Sequence, residues 1–132
     1  MNIKEILTPP KTIAMIGLSA KPERPSYQVA EYLQNQGFKI IPVNPTIKEV
    51  LGEKSYSSIK DIPKDIKIDI VDIFRKSEAV PAIIEEIVKL GIKPFIWMQE
   101  DVVSLEGQSL AQQNGMSVIM NFCIKKEYHK MR

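Results

Sequence analysis

Apolar residues in this chain fall alternately into short runs and helical stripes. Residues 12–17, Thr-Ile-Ala-Met-Ile-Gly, form an apolar run closed by glycine, the mark of a buried strand. Over 26–36, Val29, Ala30 and Leu33 share one face while Glu31, Gln34 and Gln36 lie off it, which predicts a helix ending at Gly37. Residues 38–43, Phe-Lys-Ile-Ile-Pro-Val, are a second strand; Pro42 cannot donate to a ladder and belongs at a strand end or an exposed edge. The stretch 44–66 is irregular, with Asn44-Pro45, Gly52 and Ser57-Ser58 as turn signals and Tyr56 and Ile62 as its anchors.

A third strand is expected at 68–73. A helix then follows, with Ser77 as its N-cap and Pro81 near its first turn. Its stripe is Val80, Ile83, Ile84, Ile87 and Val88, and Gly91 closes it. Residues 94–98 read as strand four, Ser104 as the cap of a helix running to Gly115 with Leu105 and Leu110 inward, and 117–120 as strand five. Residues 125–130 read as a basic tail. Apolar strands alternating with amphipathic helices predict right-handed βαβ units: an α/β, doubly wound, five-stranded parallel sheet of Rossmann-like type in three layers. With 132 residues and no linker, repeat or low-complexity segment, the expectation is one domain over 1–132.

Charge narrows the partners. Eighteen basic and 16 acidic residues are interspersed for a net charge of +2, without the basic face that nucleic-acid binding demands. No apolar run is long enough to cross a membrane, and the first residues lack the apolar core of a signal peptide. One free cysteine suits a reducing compartment, so the expected location is the cytoplasm.

In an open parallel sheet, ligands lie beyond the carboxyl ends of the strands. The loop beginning Gly17-Leu18-Ser19-Ala20 is the most informative place there. A glycine closing a strand lets backbone N–H groups approach phosphate oxygens, and Lys21 and Arg24 follow in the same loop. Its plainer reading is a flexible turn with solvated cations, because the three-glycine dinucleotide fingerprint is absent. At the end of strand two, Pro42-Val43-Asn44-Pro45 lacks the acid that binds a ribose 2′-hydroxyl, which disfavours NAD; NADP fits that test, although the lone glycine counts against it.

Catalytic groups are scarce. His129, the one histidine, sits in the polar tail, and one His with one Cys cannot build a zinc site. Asp69 and Asp72 are three apart and so face opposite sides of their strand; Glu100-Asp101 reads as a solvated turn. Cys123 is either a packed thiol or one that faces a ligand, and Trp97 reads as core at a strand end.

Several segments, taken in order, resemble a known family: Ile13 to Ser19, Glu23-Arg24-Pro25-Ser26-Tyr27, Ile41 to Pro45, Asp72-Ile73-Phe74-Arg75, Trp97-Met98-Gln99-Glu100 and Met120 to Lys125. Together they are similar to the small stand-alone CoA-binding proteins, relatives of the N-terminal CoA-binding domain of the succinyl-CoA synthetase α subunit. The likeness covers about 8–128. It implies that Gly17, Ser19 and Ala20 offer backbone contacts to the diphosphate, helped by the helix beginning after Ser26, with Lys21 and Arg24 offsetting charge. It implies further that Pro42, Val43 and Asn44 line the nucleotide, Phe74 and Arg75 flank the adenine and pantetheine path, and Trp97, Met98 and Gln99 lie at the mouth. Met98 stands where leucine is expected, and Asn121-Phe122 where an Asp-Arg pair is usual. The ligase relatives use a phosphohistidine from a second domain, for which this chain has no placed histidine. The expected function is binding of coenzyme A or an acyl-CoA by a non-catalytic module that senses, stores or delivers it. An NAD(P)-dependent redox protein is the alternative, and the reading leaves room for a homodimer or a partner enzyme.

Overall fold

The computed structural model describes residues 2–132. Five parallel strands form the sheet: β1 (Thr12–Ile16), β2 (Lys39–Val43), β5 (Ile70–Ile73), β6 (Phe95–Met98) and β7 (Val118–Ile119). Their order is β2-β1-β5-β6-β7, so the chain reverses its direction of winding between β1 and β5. That reversal opens a crevice above the two strands. Helices α1 (Ile3–Leu7), α2 (Pro25–Asn35) and α5 (Ile124–Lys130) pack on one face, against Ile13, Met15, Ile40, Ile70 and Trp97. Helices α3 (Val80–Leu90) and α4 (Leu105–Gln113) cover the other, against Ile16, Ile41, Val71, Ile73, Ile96 and Met98. Strands buried on both faces explain why they read as continuous apolar runs.

Pro42 lies on β2, an edge strand, where a missing donor costs least. Tyr56 nevertheless extends this edge: its N–H donates to the Pro42 carbonyl at 3.0 Å, and its own carbonyl accepts from the Asn44 N–H at 2.9 Å. The irregular stretch holds a small antiparallel hairpin, β3 (Glu49–Val50) and β4 (Glu53–Lys54). Leu51 and Gly52, at φ 52° and 77°, make its turn.

Three sequence expectations need correction. Ser77 does not cap α3; it opens a 3₁₀ turn, Ser77–Ala79, and its Oγ accepts from the Val103 N–H at 2.9 Å. Helix α3 starts one turn later with no side-chain cap and Pro81 in its first turn, where a missing N–H costs nothing. Leu105 is 68% exposed rather than inward, whereas Ser104 does cap α4, accepting from the Gly107 N–H at 2.9 Å. Gly107 and Ala111 are the fully buried positions of α4, and Leu110 packs partly buried against the same core, as expected. A Cβ at Gly107 would come within 2.6 Å of Val80 Cγ1, so close helix packing selects small residues that hydrophobic patterning overlooks. The basic tail is helix α5, held by Ile124, fully buried, and by Tyr128, whose ring packs edge-on against Phe38 at 5.0 Å.

Candidate functional site

At the carboxyl ends of β1, β5 and β6, a cavity of about 580 Å³ opens over the crevice. The β1–α2 loop, the β5–α3 loop and the β6–α4 loop form its walls, and Cys123 closes it beside α5. A smaller cavity of about 340 Å³ lies at the opposite, amino ends of the strands, where Glu5, Lys11, Asp69 and Lys93 mix both signs of charge. The topology favours the first as the ligand site.

Gly17 makes the crevice possible. Its φ is +93°, and an added Cβ would stand 2.6 Å from the Phe74 carbonyl oxygen and 3.0 Å from Arg75 Cδ. The β1 and β5 exits can therefore run side by side only with glycine here. Asn44 ties the loop down from the β2 side. Its Nδ2 donates to the Leu18 carbonyl at 2.9 Å, and its Oδ1 accepts from the N–H and hydroxyl of Thr46 at 2.9 and 2.7 Å.

The backbone cradle expected of this loop is partly spent inside the protein. The Gly17 N–H donates to the Val43 carbonyl at 2.9 Å, and the Ser19 N–H to Ser26 Oγ at 3.0 Å. The Lys21 N–H donates to Ser19 Oγ at 3.0 Å. Each of these hydroxyls accepts from an amide and keeps its own O–H for a further acceptor. Both serines line the cavity, so hydroxyls rather than amides of Gly17 and Ser19 face it.

The wall is cationic. Lys21, Arg24, Arg75 and Lys76 line it. Among the described residues none of the four has a carboxylate within 4.0 Å. Of the two acids on the rim, Glu100 is neutralised by Lys126, with both carboxylate oxygens 3.0–3.1 Å from its Nζ. That contact holds the Lys126 ammonium above its ordinary pKa. Helix α2 begins at the cavity with Pro25 and Ser26, and its first turn carries no acid. Its free N–H groups add a positive dipole end.

The structure thus brings together Gly17, Ser19, Lys21, Arg24, Ser26, Phe74, Arg75, Gln99 and Cys123. Others stand apart. Leu18, Trp97 and Met98 are fully buried in the core, and the Trp97 indole N–H donates to the Phe122 carbonyl at 2.8 Å. Tyr27 packs against the α2-side core, and Ala20 points to solvent. Pro42 is buried in β2, and the side chain of Asn44 is occupied in holding the loop. Val43 lines a neighbouring cleft of about 200 Å³ with Pro45, Ser58 and Arg75, which puts Arg75 at both openings. Lys76, in the candidate loop after strand three, also lines the cavity, as do Val29 and Val102, which the sequence does not single out for a site. Lys76 carried a signal, a second cation directly after Arg75 beyond strand three; the two valines carried none, since each also reads as core.

One buried group faces the same side of the sheet. Asp72 is fully buried between Met15 and Trp97 in register, and neither carboxylate oxygen has a hydrogen-bond partner. Burial holds its carboxyl well above the ordinary carboxylate range.

Comparison with known proteins bears on this arrangement. The CoA binding domain family matches residues 11–129. The uncharacterized protein YneT of Bacillus subtilis is 46% identical over 124 residues, covering 94% of this chain and 90% of its own. The ADP-forming acetate–CoA ligase II of Archaeoglobus fulgidus is 36% identical over 86 residues; the match spans 64% of this chain but only 12% of the ligase. The solved structure of a hypothetical protein from Pyrococcus horikoshii superposes with a TM-score of 0.90 at 39% identity, covering 97% of this chain and 88% of that one.

Proposed function

We propose that this chain, which belongs to the CoA binding domain family, holds coenzyme A or an acyl-CoA in the 580 Å³ cavity as a module that senses, stores or delivers it in the cytoplasm. The observation that carries the reading is the set of four unpaired cations around the start of α2, with two serine hydroxyls still free to donate. CoA presents a diphosphate and a 3′-phosphate, a concentration of negative charge that suits such a wall better than a neutral metabolite would. The apolar stretch of Val29, Phe74 and Val102 suits the pantetheine arm. Arg75, reaching both openings, suits the junction between the nucleotide and the arm.

The reading stops at binding. The one histidine, His129, lies exposed on α5, its Nδ1 3.2 Å from the Tyr32 hydroxyl, and does not line the cavity. A pyridine dinucleotide finds no ribose-binding acid after β2, where the Asn44 carboxamide is already engaged. Isothermal titration with CoA, NAD, NADP and ATP tests the whole reading. Heat with CoA and little with NAD is expected; a clear NAD signal without one for CoA refutes it.

A further inference from the structure

The inner wall of the cavity carries groups that phosphate binding leaves unused. Gln99 is 4% exposed and lines the cavity. Its Oε1 accepts from the Ile124 N–H at 2.9 Å, which locks the carboxamide against the Cys123–Ile124 peptide. Among the described residues its Nε2 meets no acceptor, yet it is not sealed in the core as the Asp72 oxygens are. The surface it retains is the cavity wall, so a buried carboxamide offers two N–H donors to whatever enters. Beside it the free thiol of Cys123, 8% exposed, contributes to the same wall.

We propose that Cys123 is a thiol–disulfide exchange site for the sulfur end of the bound ligand, with Gln99 Nε2 donating to the ligand carbonyl nearest that sulfur. The proposal rests on the CoA reading and deepens it, since CoA ends in a thiol a short way beyond an amide carbonyl. The oxidant is the ligand's own disulfide. The Cys123 thiol loses its proton to solvent, and the thiolate attacks one sulfur of CoA disulfide. A bond forms between Cys123 Sγ and that sulfur as the ligand's S–S bond breaks. The other CoA leaves as a thiolate and takes a proton from solvent. Cys123 is oxidised, one CoA is released reduced, and the other stays tethered. A reducing thiol reverses the step. The cavity would then hold CoA reversibly under reducing conditions and covalently under oxidising ones.

Intact mass spectrometry of the whole chain tests this, with CoA disulfide and glutathione disulfide as paired probes and calorimetry with CoA run alongside. Positioning in the cavity should make the CoA adduct form about tenfold faster or more than the glutathione adduct. Dithiothreitol should remove it, and Cys123→Ser should give none. Gln99→Met, neutral and of similar length, removes the donor without setting a charge beside the thiol, so it should lower the ratio of the CoA adduct rate to the glutathione adduct rate. If CoA binds but both disulfides react equally, or neither reacts, the exchange site is refuted and the binding reading survives. If CoA gives no heat, the binding reading fails and the exchange site falls with it.

Discussion

Asp72 sits at the centre of the sheet with both oxygens buried and unpaired, a costly arrangement for a carboxylate. A raised pKa eases that cost by favouring the uncharged acid, and it links stability to pH. The unfolded chain releases that proton near the ordinary value of 3.8, whereas the folded chain keeps it well above. Between those two values unfolding releases a proton, so stability falls as pH rises through that window and is greatest below it. Asp72→Asn keeps the shape and removes the titration. Its melting temperature should gain on that of the unaltered chain steadily from pH 4 upward; parallel curves would show that Asp72 does not stay protonated. Gly17 makes the opposite case, a residue whose side chain must be absent. Gly17→Ala meets the Phe74 carbonyl at 2.6 Å in a conformation that L residues avoid. Urea unfolding should register a loss of roughly 1–3 kcal/mol, with any CoA binding weakened in the same variant.

The contact between α3 and α4 shows how packing can overrule propensity. Alanine at an exposed helical glycine gains about 1 kcal/mol. At Gly107 the new methyl strikes Val80, fully buried and stiff at Cγ, and overpacking costs roughly 1–3 kcal/mol. The larger effect wins, so Gly107→Ala should lower stability, and adding Val80→Ala should fail to lower it further by the full cost of that cavity. Denaturant melts of the two single variants and the double one measure the coupling. The same contact explains where sequence reading was strong and where it failed. Strands β1, β2, β5 and β6 were legible because burial on both faces leaves a mainly apolar run, broken in β5 by Asp72. Leu105 misleads because a large apolar side chain signals burial, whereas Gly107, the residue that close packing selects, carries no hydrophobic signal. Helix α5 was hidden because only Ile124 and Tyr128 anchor it, too few to form a stripe among three lysines.

Across the whole molecule, a net charge of +2 conceals a local concentration. Lys21, Arg24, Arg75 and Lys76 come from two loops more than fifty residues apart in sequence, and the switch of strand order between β1 and β5 brings them together. Topology made the loops legible as a candidate site; only folding reveals which backbone donors are already spent, as those of Gly17 and Ser19 are. If the cluster binds phosphates, affinity for CoA should drop as salt rises past about 0.1 M, where charges about 10 Å apart are largely screened. The double variant Lys21→Ala with Arg24→Ala should flatten that dependence as well as weaken binding; equal slopes in calorimetry would remove the loop from the site.

The hydrogen bond from Trp97 to the Phe122 carbonyl has a practical reach. The chain has one tryptophan, so its fluorescence is a single voice rather than an average. That indole is fully buried and tethered one residue before Cys123, at the edge of the cavity. Emission should be blue in the folded protein, change in intensity when the loop before α5 shifts to meet a ligand, and turn red only on unfolding. The protein thus carries its own optical probe beside the site, able to follow binding and tethering in real time without a label.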